Sequence, residues 1–219
     1  MIPDRISVPD PDAVHVWRLD RRTLLLGRDA LTAVLAPDEI QRAERFHRPE
    51  DRQTWIGTRA VLRRLLGRYL GLAPSLVGLS YGAHGKPFIA AGSDQARLEF
   101  NVSHSGYVAL YAFSSGRPIG VDVESVRGDW DLEPMMELAL EPAQRAEVRA
   151  SAEPALEFAR HWVRREAALK AAGVGFGRGV RLPPAEEREL TVTDIVAPEG
   201  YVAALAVRGA AMVQTFMVE

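Results

Sequence analysis

Leu98-Glu-Phe-Asn-Val-Ser-His-Ser-Gly-Tyr-Val-Ala-Leu-Tyr-Ala-Phe-Ser-Ser-Gly-Arg-Pro-Ile-Gly-Val-Asp-Val-Glu124 reads as three strands in succession, joined by tight polar turns. Leu98, Phe100 and Val102 alternate with polar neighbours, the period-2 pattern of a strand. Tyr107 to Phe113 is an unbroken apolar run. Ser114-Ser115-Gly116-Arg117 is a turn, and Pro118 to Glu124 alternates again. Upstream, Val14 to Leu19 alternates like a strand, and a short helix is expected from Pro37 to Phe46. A longer helix follows Pro49, with Ile56, Ala60, Leu62, Leu66 and Leu70 as its apolar stripe and Gly71 and Pro74 at its end. Downstream, Leu132 to Lys170 is helical with breaks near Pro142 and Pro154. Strands are then expected around Leu190 to Val196, Tyr201 to Val207 and Met212 to Val218. Gly106-Tyr-Val-Ala-Leu is echoed at Gly200-Tyr-Val-Ala-Ala-Leu, either as two similar strands or as a trace of duplication. Both halves therefore read as helix plus antiparallel strands. The expected class is α+β, with two similar lobes in pseudo-twofold relation, residues 1–117 and 118–219, packed closely because no linker separates them.

Composition narrows the function classes. The 219 residues are 47% hydrophobic and 26% charged, with a net charge of −2. Such a balance gives no global field to recruit nucleic acid or an anionic membrane, so any anion site must be local. With no cysteine, disulfides and thiolate chemistry are excluded. The opening Met1-Ile2-Pro3-Asp4-Arg5 has none of the basic and apolar regions of a signal peptide, and no apolar run approaches the roughly 20 residues of a membrane span. The expectation is a soluble cytoplasmic protein with no nucleic-acid or membrane partner. Of 27 basic residues only Lys86 and Lys170 are lysine, a compact charge that can lose its proton where arginine cannot.

Both lysines fall inside chemically suggestive stretches. On a strand, Asp122 and Glu124 point to one face roughly 6.6 Å apart. Two carboxylates so held repel unless a cation lies between them, and oxygen donors suit magnesium; an exposed acidic strand end is the plainer reading. Trp162, Glu166 and Lys170 recur at i, i+4 and i+8, one row along a helix that closes at Gly173. That row is either part of a site or a surface ion pair worth about 0.3–0.5 kcal/mol. Ser103 and His104, in a strand running into a polar turn, suit a phosphate, whereas a Ser–His nucleophilic pair is disfavoured because no nucleophile elbow surrounds the serine. Gly85-Lys86-Pro87 allows close backbone approach to a ligand. Arg52, Arg59 and Arg63 share a helix face behind Arg42 and Arg45, as a solvated basic face or as phosphate donors. Gly173-Val-Gly-Phe-Gly-Arg-Gly is neither a Walker loop nor a Rossmann fingerprint and reads as a loop.

Taken in order, Gly85-Lys86-Pro87, Asn101-Val-Ser-His-Ser105, Gly120-Val-Asp-Val-Glu124 and Trp162-x-x-Arg165-Glu166-Ala167-x-x-Lys170 resemble the signature of the 4′-phosphopantetheinyl transferase superfamily. The resemblance runs from about Pro37 to Gly177. The length, with two lobes in one chain, is similar to the surfactin-synthetase-activating (Sfp) type rather than the short trimeric holo-acyl-carrier-protein synthases, so a monomer is expected. The resemblance implies transfer of 4′-phosphopantetheine from coenzyme A, held between the lobes, to a serine of an apo acyl or peptidyl carrier protein in polyketide, nonribosomal-peptide or fatty-acid synthesis, releasing 3′,5′-ADP. It implies magnesium on Asp122, Glu124 and Glu166, with Asp122, Glu166 and Lys170 catalytic and either Glu166 or a metal-bound hydroxide as base. Lys170 stands by the diphosphate, Ser103, His104 and Arg42 by the 3′-phosphate, and Lys86 and Pro87, at the end of a segment from Tyr81, by the adenine nucleotide. Arg45 and Arg52 are further candidates from the same basic stretch. There are departures: Arg165 stands where many members have lysine, Glu39 where the Sfp-type enzyme carries a second lysine, and Leu132 to Val148, where members meet the carrier, matches poorly. A coenzyme A-binding module without catalysis is the alternative, and an interaction protein docking through its basic helix and Met135-Met136 explains none of the motif spacing.

Overall fold

In the computed structural model, which describes residues 2–24, 27–90, 97–174 and 182–218, proline marks helix starts and glycine ends the two longest helices. The chain runs β1 (Ala13–Asp20), α1 (Arg28–Thr32), α2 (Pro37–Glu44), α3 (Pro49–Leu70), β2 (Leu79–Tyr81), β3 (Pro87–Ile89), β4 (Leu98–Ser105), β5 (Val108–Ser115) and β6 (Ile119–Ser125). It continues through α4 (Leu132–Ala139), α5 (Pro142–Ala150), α6 (Pro154–Ala172), α7 (Pro184–Glu189), β7 (Leu190–Asp194), β8 (Tyr201–Arg208) and β9 (Met212–Val218). Pro49 sits in the first turn of α3, where its missing N–H costs nothing, with Glu50 and Asp51 at the positive end of the dipole and Gly71 stopping the helix. In α6, Pro154, Glu157 and Gly173 play the same parts. Of the Gly173–Gly179 run, residues 175–179 lie outside the described residues.

The apolar run behind Gly106 has no polar side to give to water, and the fold covers it twice. It forms β5 in a sheet of order β4-β5-β1-β9, antiparallel except between β1 and β9. On one face, Tyr111 and Phe113 join Trp17, Leu19 and Phe100 against Val61, Leu62, Leu65 and Leu66 of α3. On the other, Val108 and Leu110 with Val14 and Val16 meet Ile119, Val121, Val123, Leu205 and Val207 of a second, antiparallel sheet ordered β6-β8-β7. Its outer face carries α6, where Val163, Ala167 and Ala171 lie on Ala204 and Ala206. The layers are helix, sheet, sheet, helix. Each large apolar side chain so enclosed contributes about 1.5–3 kcal/mol.

Two placements differ from the sequence expectations, and a third counts against an alternative already disfavoured there. The final strand forms as expected, but it pairs in parallel with β1 and completes the first sheet, while β7 and β8 join β6. The arginine face of α3 is not solvated: Arg59 and Arg63 are buried, Arg63 at 2% exposure, because Glu39 of α2 lies beneath them as counter-ion. Arg63 also donates to the carbonyls of Pro74 and Val77, at 2.9 and 3.0 Å, and Glu39 accepts from the Ala36 N–H at the start of α2. Met136 packs inward with Leu140, Val148 and Phe158 instead of facing a partner.

Candidate active site

The second sheet presents its acids inward. The polar side of β6 is roofed by α6, so Asp122 is 4% exposed instead of standing at an open strand edge. This approach depends on Gly120, where a Cβ would collide with the carbonyl of Ala167 and the N–H of Ala171. Small residues on both sides let the helix settle on the sheet.

Opposite β6 runs β4, whose alternate residues form a polar row. Asn101 Oδ1 accepts from the Val121 N–H at 2.9 Å, the Ser103 hydroxyl donates to Asp122 Oδ1 at 2.7 Å, and the Ser105 hydroxyl donates to Glu124 Oε2 at 2.7 Å. The period-2 spacing of 101, 103 and 105 was the signal for this row, and neither Asn101 nor Ser105 was assigned a role from the sequence. From α6, Lys170 Nζ donates to Asp122 Oδ1 at 2.5 Å and to Ser103 Oγ at 3.1 Å. The helical row lands as its spacing indicated: Trp162, Glu166 and Lys170 border one pocket of about 360 Å³ with Val102, Ser103, His104, Asp122 and Glu124.

The electrostatics suit a cation. Asp122 Oδ2 is buried with no hydrogen-bond partner. Desolvation, helped by neighbouring Asp122, pushes the Glu166 carboxyl above its ordinary range, against the pull of Lys170 and Arg165. Glu124 is raised likewise by desolvation, with the Ser105 hydrogen bond opposing. An orphaned buried carboxylate oxygen beside two reluctantly ionised acids is a donor set of oxygens alone, which fits a hard divalent ion. The three acids share the pocket without drawing one oxygen from each within 4.8 Å of the others, and Lys170 holds Asp122 Oδ1. Although His104 shows much of its surface to solvent, desolvation of its ring, together with Arg21 and Lys170, holds its pKa below the usual imidazole value.

The other candidate residues are more dispersed. Lys86 is half-buried, and Nζ donates to the backbone carbonyls of Lys170 (2.6 Å) and Ile119 (3.1 Å), pinning the end of α6 to β6 directly behind the pocket. Pro87 opens β3. Arg42 and Arg59 stand over the rings of Trp55 and Tyr81 at centroid distances of 5.3–5.8 Å. Arg59 Nη1 is buried without a hydrogen-bond partner, so this cluster retains a donor for an anion. Arg52 is directed instead at the Phe46 carbonyl, beyond the end of α2, at 3.3 Å, and Arg45 is exposed. Ser103 spends its hydroxyl inside the Asp122–Lys170 network.

Two family models meet at the seam between the sheets. One described as 4′-phosphopantetheinyl transferase, N-terminal, matches residues 23–115, and one described as the 4′-phosphopantetheinyl transferase superfamily matches residues 118–206. The chain is 34% identical over 210 residues to the 4′-phosphopantetheinyl transferase HetI of Nostoc sp., covering 90% of this chain and 89% of that one. It is 32% identical to the 4′-phosphopantetheinyl transferase AcpT of Salmonella typhimurium, over 69% of this chain and 70% of AcpT. A phosphopantetheinyl transferase of Thraustochytrium sp. is 30% identical over 78% of this chain and 65% of its own length.

Proposed function

The chain belongs to the 4′-phosphopantetheinyl transferase superfamily and transfers phosphopantetheine from coenzyme A to carrier proteins, and we propose that the pocket between β4, β6 and α6 carries out that transfer. The carrier is an acyl or peptidyl carrier whose serine attacks the β-phosphate, and 3′,5′-ADP leaves. The observation that carries the reading is the buried, unpartnered Asp122 Oδ2 beside Lys170, in one pocket with Glu124 and Glu166.

Asp122, Glu124 and Glu166 are the residues to hold magnesium, which when bound supplies charge neutralisation for the diphosphate. Glu166, on the wall of the pocket, is the residue to take the proton of the attacking serine hydroxyl. Lys170 presents positive charge to the phosphate that departs, and Asp122 and Ser103 fix its ammonium. Because phosphoryl transfer asks for little covalent help, positioning and electrostatics carry most of the catalysis. Lys86 positions Lys170 from behind through its backbone carbonyl. His104 and Arg42, with Arg59 beside it, receive the 3′-phosphate, and the Tyr81–Pro87 segment flanks the adenine nucleotide; Arg45 and Arg52 stay auxiliary.

The functional division at residues 117 and 118 gains support from the two family matches, which stop and start there. We assign the chain to the Sfp type, acting as a cytoplasmic monomer with no nucleic-acid or membrane partner; among the described residues no helix is long and apolar enough to cross a membrane.

Incubation with apo carrier, coenzyme A and magnesium should add the mass of one phosphopantetheine group to the carrier. Asp122→Ala and Glu166→Ala should each lower the rate by about 10²–10³ with the fold intact. If both variants keep more than about a tenth of wild-type activity, well above that range, the acids do not hold the metal.

A further inference from the structure

One residue before Trp162, α6 carries a second cluster that phosphoryl transfer does not use. His161 is 7% exposed, yet its Nε2 makes no properly directed hydrogen bond. It faces two carboxylates: Glu147 Oε2 of α5 at 3.1 Å and Glu157 Oε1, one turn back on α6, at 3.5 Å. One ligand atom from each of the three residues lies within 4.8 Å of the others.

We propose that Glu147, Glu157 and His161 form a metal site for a borderline divalent transition ion of the zinc type. Zinc bonds of about 2.0–2.2 Å in tetrahedral array set neighbouring ligand atoms roughly 3.3–3.6 Å apart. The two distances from His161, 3.1 and 3.5 Å, lie close to that spacing, and an oxygen of Glu147 stands within 4.8 Å of one of Glu157. The donor set differs in kind from the all-oxygen pocket, because an imidazole nitrogen favours later divalent ions over magnesium. Glu157 is half-committed elsewhere, its Oε2 lying 3.3 Å from Arg160 Nη1, which leaves Oε1 for the ion. Arg164 is engaged by Asp194 at 2.6 and 2.7 Å. Glu147 is 60% exposed at its side chain, so the site opens to water, which gives an entry path and an occupant for the fourth position. Val148 and Phe158 already pack α5 against α6. An ion here ties the two helices together one residue from the pocket, and its binding energy adds to folding.

The test uses the full chain freed of metal with a chelator. Zinc chloride is titrated by calorimetry and melting is followed, with X-ray absorption on the loaded protein. Wild type should bind zinc saturably, melt higher, and show nitrogen in the coordination shell. Glu147→Gln and Glu157→Gln should each weaken zinc binding by about 10-fold or more while magnesium-dependent transfer stays at wild-type rate. Three results each overturn the site: no saturable binding at sub-millimolar zinc, wild-type zinc affinity in both glutamine variants, or loss of zinc in Asp122→Asn alone. Since Glu147 is largely exposed, its variant folds even where the Glu157 variant suffers.

Discussion

Replacing Gly120 with alanine adds one methyl group in the close contact between β6 and α6. Its Cβ would overlap the Ala167 carbonyl oxygen and the Ala171 amide nitrogen and stand 3.0 Å from the carbonyl carbon of Lys170, all backbone of α6. Backbone cannot rotate away as a side chain can, so the helix must lift from β6, by about 1.4 Å to restore ordinary van der Waals separation. Overpacking of this kind costs about 1–3 kcal/mol, and rigid backbone on the far side places Gly120→Ala at the upper end. The same lift separates Lys170 from Asp122, now 2.5 Å apart, and a misplacement of about 1 Å can cost 10²-fold in rate. Urea unfolding would read the stability loss as a lower midpoint at unchanged slope, and intact-mass assay of a carrier would read the rate. Gly128→Ala, where a Cβ meets nothing within 4 Å, is the control. Should Gly120→Ala match that control within about 0.5 kcal/mol, as ordinary surface substitutions do, and keep its rate, the close approach of α6 does not position the site.

Two further outcomes follow from buried charge. Arg63→Ala strands Glu39 under α3 and should cost about 3–5 kcal/mol, read as a lower urea midpoint; a loss below about 1 kcal/mol would mean Arg59 compensates alone. Glu166 has its folded-state pKa raised above the ordinary 4.5, so its ionised form opposes folding at high pH and the opposition is relieved as pH falls toward 4.5. In magnesium-free protein, Glu166→Gln should therefore melt above wild type at pH 7.5, with the advantage shrinking on acidification through the raised pKa. An advantage that grew on acidification would contradict the sign.

Periodicity carried the local structure. The alternation at Leu98–Val102, the row Trp162–Glu166–Lys170 and the prolines at 49, 142 and 154 all mark elements that formed. Pairing across the chain was not legible, because β9 finds β1 through a register that no local pattern encodes. Arginine on an apolar helix reads as solvent-facing, and only the burial of Glu39 beneath α3 makes Arg63 a core residue. Of the candidate site, the shared faces of Asp122 with Glu124 and of Glu166 with Lys170 were readable by spacing, whereas the contacts between them were not. The Ser103–Asp122–Lys170 triangle joins two strands and a helix, and Lys86, set beside the adenine nucleotide by the resemblance, also holds the end of α6.

The return of β9 to the N-terminal strand bears on how the protein can be cut. A fragment ending at the 114–117 turn would leave the outer edge of β1 bare from Ala13 to Leu19, a template for non-native strand addition. The complementary fragment would carry an orphan strand, Met212–Val218, shaped for that same edge. Expressed separately each piece should aggregate, but together they should recombine into working enzyme, the second half clasping the first by its tail.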